Sequence, residues 1–257
     1  MLSKKLKQHE AVILAMEKLG GKALLSQLFQ EVFTIENCDW KTKTPFESIR
    51  RIVQTRPEVI KITPGLYALA SRQKELEKEG ILQSTRQNQE SPAVADFNHY
   101  FYQGLLLQIG KSHHLETFVP HQDKNKRFLN QSLGELRTLG ELPAFGYPHF
   151  LRYGATVDVM WFNDRAMPDS FFEVEHSTDF ERSFIKFVEL QDFNAQMFIV
   201  ADEKRRALFE EKNAQVAFRP IKPRVEFRSY DDVVRDFEYL TRQQIESKRD
   251  GEKPILP

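Results

Sequence analysis

Hydrophobic and polar positions follow a helical period in the first third of the chain and then change to short β-prone runs. The predicted helices cover residues 9–19, 23–33 and 44–55, and the predicted strands cover residues 59–62 and 66–69. Gly20 and Gly21 end the first helix. Thr44 suits the N-cap of the third helix, Pro45 its first turn, and Glu47 completes the spacing of a capping box.

Three helices followed by a hairpin are typical of a winged helix, whose third helix can lie in the major groove of DNA. Polar and apolar side chains alternate along the predicted third helix, and two lysines precede it where DNA phosphates would lie. The candidate DNA-binding residues are Lys41, Lys43, Thr44, Ser48, Arg51 and Gln54. The alternative is a protein-binding winged helix whose charged face is only solvated.

Two short motifs frame the third helix. Lys41–Pro45 (KTKTP) stands before it and Pro64–Leu69 (PGLYAL) after it, with Ile49 and Ile52 between them. In identity and order these elements resemble the HARE-HTH family, whose winged helices are attached to restriction endonucleases and to chromatin and transcription proteins. The resemblance covers about residues 9–70. It implies DNA binding, and sensing of modified bases is a property that the sequence does not test.

A polar segment rich in Gln, Glu, Lys, Arg and Ser follows, with a charged helix predicted at its start. Beyond it the pattern changes to longer β-prone runs and amphipathic helices. We therefore predict a winged-helix domain at residues 1–72, a charged linker at 73–95 and a second domain at 96–257.

The second domain combines helices and strands in an order that predicts a mixed sheet flanked by helices, an α+β or α/β fold. The predicted helices cover residues 99–109, 179–193, 203–212 and 230–244, and the predicted strands cover 115–120, 154–162, 170–176, 196–201 and 225–229. The strands at 154–162 and 170–176 are expected to form a hairpin.

Composition narrows the classes of function. The 257 residues carry 37 basic and 37 acidic side chains, and this neutrality argues against a generic polyanion binder. Cys38 is the only cysteine, which excludes an internal disulfide and a thiolate-rich zinc site. The histidines match no zinc-binding signature. The sequence shows neither an apolar run of membrane-spanning length nor a signal peptide, so a cytoplasmic protein without membrane association is expected.

Three carboxylates interrupt the β-prone runs of the second domain. Asp158 stands among apolar residues, and Glu173 and Glu175 are two positions apart, which places them on one face of a strand about 7 Å apart. If the two strands pair, Asp158 can approach both glutamates. Such a group requires a cation, and Mg²⁺ suits oxygen ligands. The alternative places both glutamates on a solvent-facing side of the sheet, but Asp158 argues against it.

The sequences ATVD, ending at Asp158, and Glu173-Val174-Glu175 resemble the PD-(D/E)xK nucleases, the restriction-endonuclease-like family. The resemblance covers residues 96–201. It implies Mg²⁺-dependent hydrolysis of DNA, with Asp158 and Glu173 as metal ligands. Glu175 replaces the family's usual lysine, so it would hold a second metal ion or accept the proton of the attacking water. Alternatively, Lys186 would replace the missing cation, although a surface lysine paired with Glu189 is the simpler interpretation.

Several polar residues are weaker candidates. Gln103 lies where some family members carry a further acidic ligand, and Gln191 is expected at the surface. Lys126 and Arg127 belong to a polar stretch that would line a DNA cleft or form a solvated loop.

Together these features predict a restriction-type endonuclease for double-stranded DNA, either type II or modification-dependent, and a possible homodimer. A DNA-binding regulator with a decayed nuclease fold and a repair or mobile-element nuclease are the alternatives.

Overall fold

A computed structural model describes residues 5–89, 91–176 and 180–250. The chain divides into two compact units, one formed by residues 1–97 and 238–257 and the other by residues 98–237. The sequence predicts a winged-helix domain at 1–72, a linker at 73–95 and a second domain at 96–257, and these boundaries differ from those of the two compact units. Parts of these predictions, namely residues 1–4, 90, 177–179 and 251–257, lie outside the described residues.

Helices and strands are interspersed along the described part of the chain. The helices are α1 (Gln8–Lys18), α2 (Leu25–Glu31), α3 (Pro45–Thr55), α4 (Gln73–Lys78), α5 (Pro92–Ser112), α6 (Leu133–Leu136), α7 (Pro148–Gly154), α8 (Glu181–Glu189), α9 (Arg206–Asn213) and α10 (Tyr230–Asp250). The strands are β1 (Lys22–Leu24), β2 (Val59–Thr63), β3 (Leu66–Leu69), β4 (Glu116–Phe118), β5 (Arg127–Phe128), β6 (Gln131–Ser132), β7 (Val159–Phe162), β8 (Pro168–Val174), β9 (Gln196–Ala201) and β10 (Val225–Ser229).

The first unit contains the helices α1 to α4, the start of α5, the end of α10, and a three-stranded antiparallel sheet with the order β1-β3-β2. The helix predicted at 44–55 and the following hairpin are confirmed. The helix predicted at 23–33 is wrong at its start, because residues 22–24 pair with β3 as a strand. The apolar faces of α1 to α3 and of β2 and β3 share one buried core, in which Phe29 and Phe46 contact each other edge to face.

The capping box predicted for α3 does not form. The Thr44 side chain makes no capping hydrogen bond, and the Glu47 carboxylate accepts a hydrogen bond from Arg242 at 2.7 Å. Arg242 also lies over the rings of Phe29 and Phe46, so its charge and its aliphatic stem are both held in place.

The segment predicted as a charged linker has structure of its own. Its first part forms α4, as the charge pattern predicts, and Leu76 and Ile81 are buried. A turn follows, in which the side chain of Asn88 accepts hydrogen bonds from Thr85 and donates one to the carbonyl of Gln83.

The second unit is built on a five-stranded mixed sheet with the order β10-β9-β8-β7-β4. β4, β7 and β8 are antiparallel neighbours, whereas β8, β9 and β10 run parallel. The mixed sheet flanked by helices is therefore confirmed, as is the hairpin between β7 and β8. The predicted strand 154–162 is wrong in its first half, because residues 148–154 form α7 and a turn precedes Val159.

Side chains of the sheet alternate between two buried faces. On one face, Met160, Phe171 and Ile199 pack against apolar side chains of α8, among them Phe184 and Phe187. On the other face, Trp161, Phe172 and Phe198 form a row of contacting rings, with centroid distances of 4.4 and 4.9 Å. The Trp161 indole also donates a hydrogen bond to the Leu106 carbonyl of α5 at 3.1 Å. Among the described helices, none is long and apolar enough to cross a membrane.

Candidate active site

Asp158 stands directly before β7, at the point where the β7–β8 hairpin ends. Val159 pairs with Phe172, so Asp158 lies beside the end of β8. Its Oδ2 atom accepts a hydrogen bond from the backbone N–H of Val174 at 2.7 Å. The hairpin register therefore brings Asp158 to the strand that carries Glu173, as the sequence predicts.

Glu173 and Glu175 lie on the same side of their strand. The hydroxyl group of Ser183 on α8 lies within hydrogen-bonding distance of both carboxylates, at 3.1 Å from Glu173 Oε2 and closer to Glu175 Oε1. Glu173 is only 2% exposed, so its placement on a solvent face is wrong. The backbone N–H of Glu175 bonds to the carbonyl of Val200 at 2.8 Å, which extends the ladder beyond the end of β8.

Lys186 reaches the buried carboxylates from α8. Its Nζ atom lies 2.9 and 2.8 Å from the two carboxylate oxygens of Glu173 and 2.7 Å from the carbonyl of Thr156. Ser183 and Lys186 are three residues apart and therefore face the site together. The interpretation of Lys186 as a surface lysine paired with Glu189 is wrong, since its side chain is 21% exposed and pairs with Glu173.

Burial sets the electrostatics of this group. It raises the pKa of Asp158 to about 7, and burial together with the charge of Asp158 raises the pKa of Glu173 to about 8. Although burial opposes it, the charges of Glu173 and Asp158 hold the pKa of Lys186 above its usual value. The carboxylates are thus in a place where a cation would be favoured.

A second set of donors meets Asp158 from α5 and from the loop after β4. One nitrogen or oxygen atom each of His99, Asp123 and Asp158 lies within 4.8 Å of the others. His99 Nε2 is 3.7 Å from Asp158 Oδ1, and its Nδ1 is 2.8 Å from the carbonyl of Val174. Gln103 Nε2 lies 2.9 Å from His99 Nε2 and 3.2 Å from Asp123 Oδ2.

The loop that carries Asp123 is held against α5 by close packing. The Phe128 ring stacks on Phe101 and lies directly on Gly104, where a Cβ atom would come within 2.2 Å of it. Lys126 lies over the Tyr100 ring, 4.9 Å from its centroid. Glycine at position 104 therefore permits the approach that brings Asp123 to His99 and Gln103.

His176 follows Glu175 and is directed to a tyrosine. Its Nδ1 atom lies 2.8 Å from the hydroxyl group of Tyr230, which stacks on Tyr102 at a centroid distance of 3.8 Å. Burial is the main cause that lowers the pKa of His176 to about 3, and the neighbouring Arg205 acts in the same direction. The imidazole is therefore neutral at physiological pH and serves as a structural hydrogen-bonding partner.

The predicted DNA-binding residues occupy two places. In the first unit, Lys41, Lys43, Thr44, Arg51 and Gln54 are exposed at the start and along one side of α3, and Ser48 bonds back to the carbonyl of Thr44. In the second unit, Lys126 and Arg127 are exposed, and Arg127 donates a hydrogen bond to the carbonyl of Asn130 at 3.2 Å.

The comparison with known families decides the class of protein. The model of the C-terminal domain of the type II restriction enzyme NmeDI matches residues 81–251, which is more than half of the chain. The chain belongs to this NmeDI C-terminal domain family. The match includes Asp123, Asp158, Glu173 and Glu175, and membership of a restriction-enzyme family suggests a DNA endonuclease. No curated protein and no solved structure matches the chain.

Three residues of the candidate site in this member of the NmeDI C-terminal domain family were not predicted from the sequence, namely His99, Asp123 and Ser183. His99 and Gln103 are four residues apart on one helix, a spacing that places both on one face, and this signal was available. Asp123 lies in a polar loop, and tertiary packing, including that of Phe128 on Gly104 and Lys126 on Tyr100, brings it to the helix.

Proposed function

We propose that this protein is a Mg²⁺-dependent, restriction-type endonuclease that hydrolyses phosphodiester bonds of double-stranded DNA, with its catalytic centre at Asp158, Glu173 and Lys186. The observation that carries the proposal is the ion pair between Lys186 and Glu173, beside Asp158. It supplies the cation that the Glu173-Val174-Glu175 motif lacks. The order α5, the antiparallel β4-β7-β8 sheet, α8 and β9 supports a restriction-endonuclease-like fold of the PD-(D/E)xK type.

Asp158 and Glu173 would hold the catalytic ion, and their raised pKa values support this role, because a cation would offset the cost of burying their charges. Mg²⁺ bound there would lower the pKa of a water ligand and stabilise negative charge on the phosphate. Lys186 would orient the attacking water, and Glu175 would position Ser183 and Glu173 through the shared hydroxyl group.

A cleft beside Lys186 offers a place for the DNA backbone. It has a volume of about 430 Å³ and is lined by Arg152, Tyr153, Thr156, Arg182, Ile185 and Lys186. Arg152 and Arg182 are exposed. Two guanidinium groups and an ammonium group on one cleft fit the phosphates that flank a cleaved bond.

We further propose that residues 1–72 form a winged helix that contributes DNA recognition through α3, with residues 73–95 joining it to a nuclease domain at 96–257. Three helices before a β-hairpin and the exposed Arg51 and Gln54 support this assignment. Because cleavage of two antiparallel strands suits two symmetric active sites, we propose a homodimer, which a mass measurement in solution would test.

The test is incubation of plasmid DNA, methylated and unmethylated, with Mg²⁺ or with EDTA. Discrete fragments that require Mg²⁺ are expected, and dependence on methylation would distinguish a modification-dependent enzyme from a conventional type II enzyme. Asp158→Asn should abolish cleavage while DNA binding persists, and Asp164→Asn, an exposed aspartate in the β7–β8 turn, is the matched control. Specific binding without cleavage of any substrate would instead favour a regulator with a decayed nuclease fold.

A further inference from the structure

The donors around His99 have the composition of a metal site that differs from the proposed pair Asp158 and Glu173. They comprise one imidazole nitrogen and two carboxylates, from α5, from the loop after β4 and from the residue before β7. Three separate segments therefore converge here, and Asp123 and the neighbouring Gln103 are buried.

Backbone contacts prepare His99 for coordination. The carbonyl of Val174 can only accept a hydrogen bond, so the nitrogen that faces it, Nδ1, carries the proton in the neutral ring. Nε2, which lies 3.7 Å from Asp158 Oδ1 and within 4.8 Å of a carboxylate oxygen of Asp123, then carries the lone pair that a metal ion requires. A metal-binding histidine is usually oriented in this way, by a hydrogen bond from its other nitrogen.

Gln103 occupies the space between these donors. Its amide nitrogen lies 2.9 Å from His99 Nε2 and 3.2 Å from Asp123 Oδ2, and adjacent ligands of a six-coordinate ion are about 3 Å apart. Its Oε1 atom is buried and has no hydrogen-bond partner among the described residues. If the side-chain amide of Gln103 rotates by half a turn, its Oε1 and Nε2 atoms exchange places. The oxygen then faces His99 and Asp123 and can bind the ion, and the nitrogen takes the unpartnered position.

We infer that His99, Asp123, Asp158 and Gln103 form a second metal site, which binds a first-row divalent transition-metal ion and shares Asp158 with the catalytic centre. The imidazole ligand favours such an ion over Ca²⁺ or Mg²⁺, which take oxygen ligands. A contribution of this ion to cleavage rests on the proposed function, whereas its binding does not. Two ions that share a carboxylate are a common arrangement in phosphodiester hydrolysis.

The test is titration of the untagged, DNA-free full-length protein with Mn²⁺, followed by electron paramagnetic resonance. The wild type should show electron spin-echo modulation from a ¹⁴N nucleus of histidine. His99→Ala should lose this modulation, and Asp123→Asn should weaken Mn²⁺ binding at this site by about 10- to 100-fold. His149→Ala, which removes an exposed histidine, is the matched control and should retain the modulation.

The variants must show the wild-type circular dichroism spectrum, and Glu173→Gln should keep the ¹⁴N modulation because Glu173 is outside this donor set. The inference is overturned by absence of the modulation from the wild type or by its persistence in His99→Ala. Modulation without any plasmid cleavage would support the metal site and contradict the proposed function. Cleavage of plasmid DNA without the modulation would support the proposed function and contradict the metal site.

Discussion

The ammonium group of Lys186 contacts both carboxylate oxygens of Glu173, at 2.9 and 2.8 Å, although the two residues are 13 positions apart in the sequence. The ion pair is nearly buried and joins the crossover helix α8 to the central strand β8. A buried ion pair adds little net stability, but removing one partner leaves an uncompensated charge. We therefore expect this contact to matter for catalysis and for the folded state at once.

Lys186→Met should abolish DNA cleavage, with a loss of at least 100-fold in rate, because the ammonium group of Lys186 supplies the positive charge in contact with both oxygens of Glu173. It should also lower the free energy of unfolding by about 3 kcal/mol near pH 8. Single-turnover cleavage and urea unfolding measure the two effects. The double variant with Glu173→Gln should recover stability but not activity. Lys222→Met, at an exposed lysine, is the control, and equal losses in both lysine variants would remove Lys186 from the site.

Glu175→Gln should change the cleavage rate less than Lys186→Met, by no more than about tenfold. The glutamine can still accept a hydrogen bond from the Ser183 hydroxyl group, which keeps Glu173 in position. Cleavage rates at saturating Mg²⁺ compare the two variants. A loss as large as that of Lys186→Met would show that Glu175 acts directly on the water or the metal ion.

The metal-free protein should become less stable as the pH rises from 5.5 to 8.5. Folding raises the pKa of Asp158 from 3.8 to about 7 and that of Glu173 from 4.5 to about 8. This stabilisation is fully present below the unfolded values and is lost as the pH rises through the folded ones. Urea unfolding at both pH values measures it.

Asp158→Asn should flatten this pH profile, and the exposed control Asp164→Asn should follow the wild type. Added Mg²⁺ should stabilise the protein more at pH 8.5 than at pH 5.5, because the ion binds the ionised carboxylates. A metal-free stability that increases between pH 5.5 and 8.5, in a way that Asp158→Asn abolishes, would contradict this prediction.

Arg224→Lys should lower the free energy of unfolding by about 3 kcal/mol. The guanidinium group of Arg224 donates hydrogen bonds to the carbonyls of Gln191, Phe193 and Ala195, which end α8 and lead into β9. A lysine ammonium cannot reproduce this fork. Thermal or urea unfolding tests it against Arg219→Lys, a control at an exposed arginine. Equal stability of the two variants would show that the loop after α8 is held by its other contacts.

Arg51→Ala should weaken DNA binding about tenfold if α3 contributes recognition. The side chain of Arg51 is exposed on α3, so its loss should leave folding unchanged. Affinity measured at several salt concentrations distinguishes a lost phosphate contact, which reduces the salt dependence by about one ion, from a lost base contact. Lys74→Ala, an exposed residue of α4, is the control. Unchanged affinity in Arg51→Ala would favour a protein-binding role for this unit.

The sequence predicted most elements that local pattern determines. The strands at 196–201 and 225–229 and the helix at 44–55 are confirmed, because apolar runs with clear ends specify them. The predicted start of the strand at 154–162, which included Asp158, was wrong. Apolar content alone did not reveal that Pro148 begins a helix, which ends at Gly154.

The candidate site divides in the same way. The sequence indicated Asp158 because it interrupts an apolar run, and it indicated Glu173 and Glu175 because their spacing of two positions matches the alternation of side chains along a strand. The orientation of Lys186 could not be predicted, since the same amphipathic helix allows an exposed lysine. Asp123 depends on a loop that tertiary packing against Gly104 holds in place, and no local pattern records such a contact.

Val174 holds the two sides of the site together through its peptide groups alone. Its N–H donates to Asp158 and its carbonyl accepts from His99, while its side chain is buried in the core. Mutation of the side chain can therefore alter packing without removing either contact, and only proline would delete the N–H. Side chains of different size at position 174 should therefore leave the orientation of Asp158 and His99 unchanged, as long as the core accommodates them.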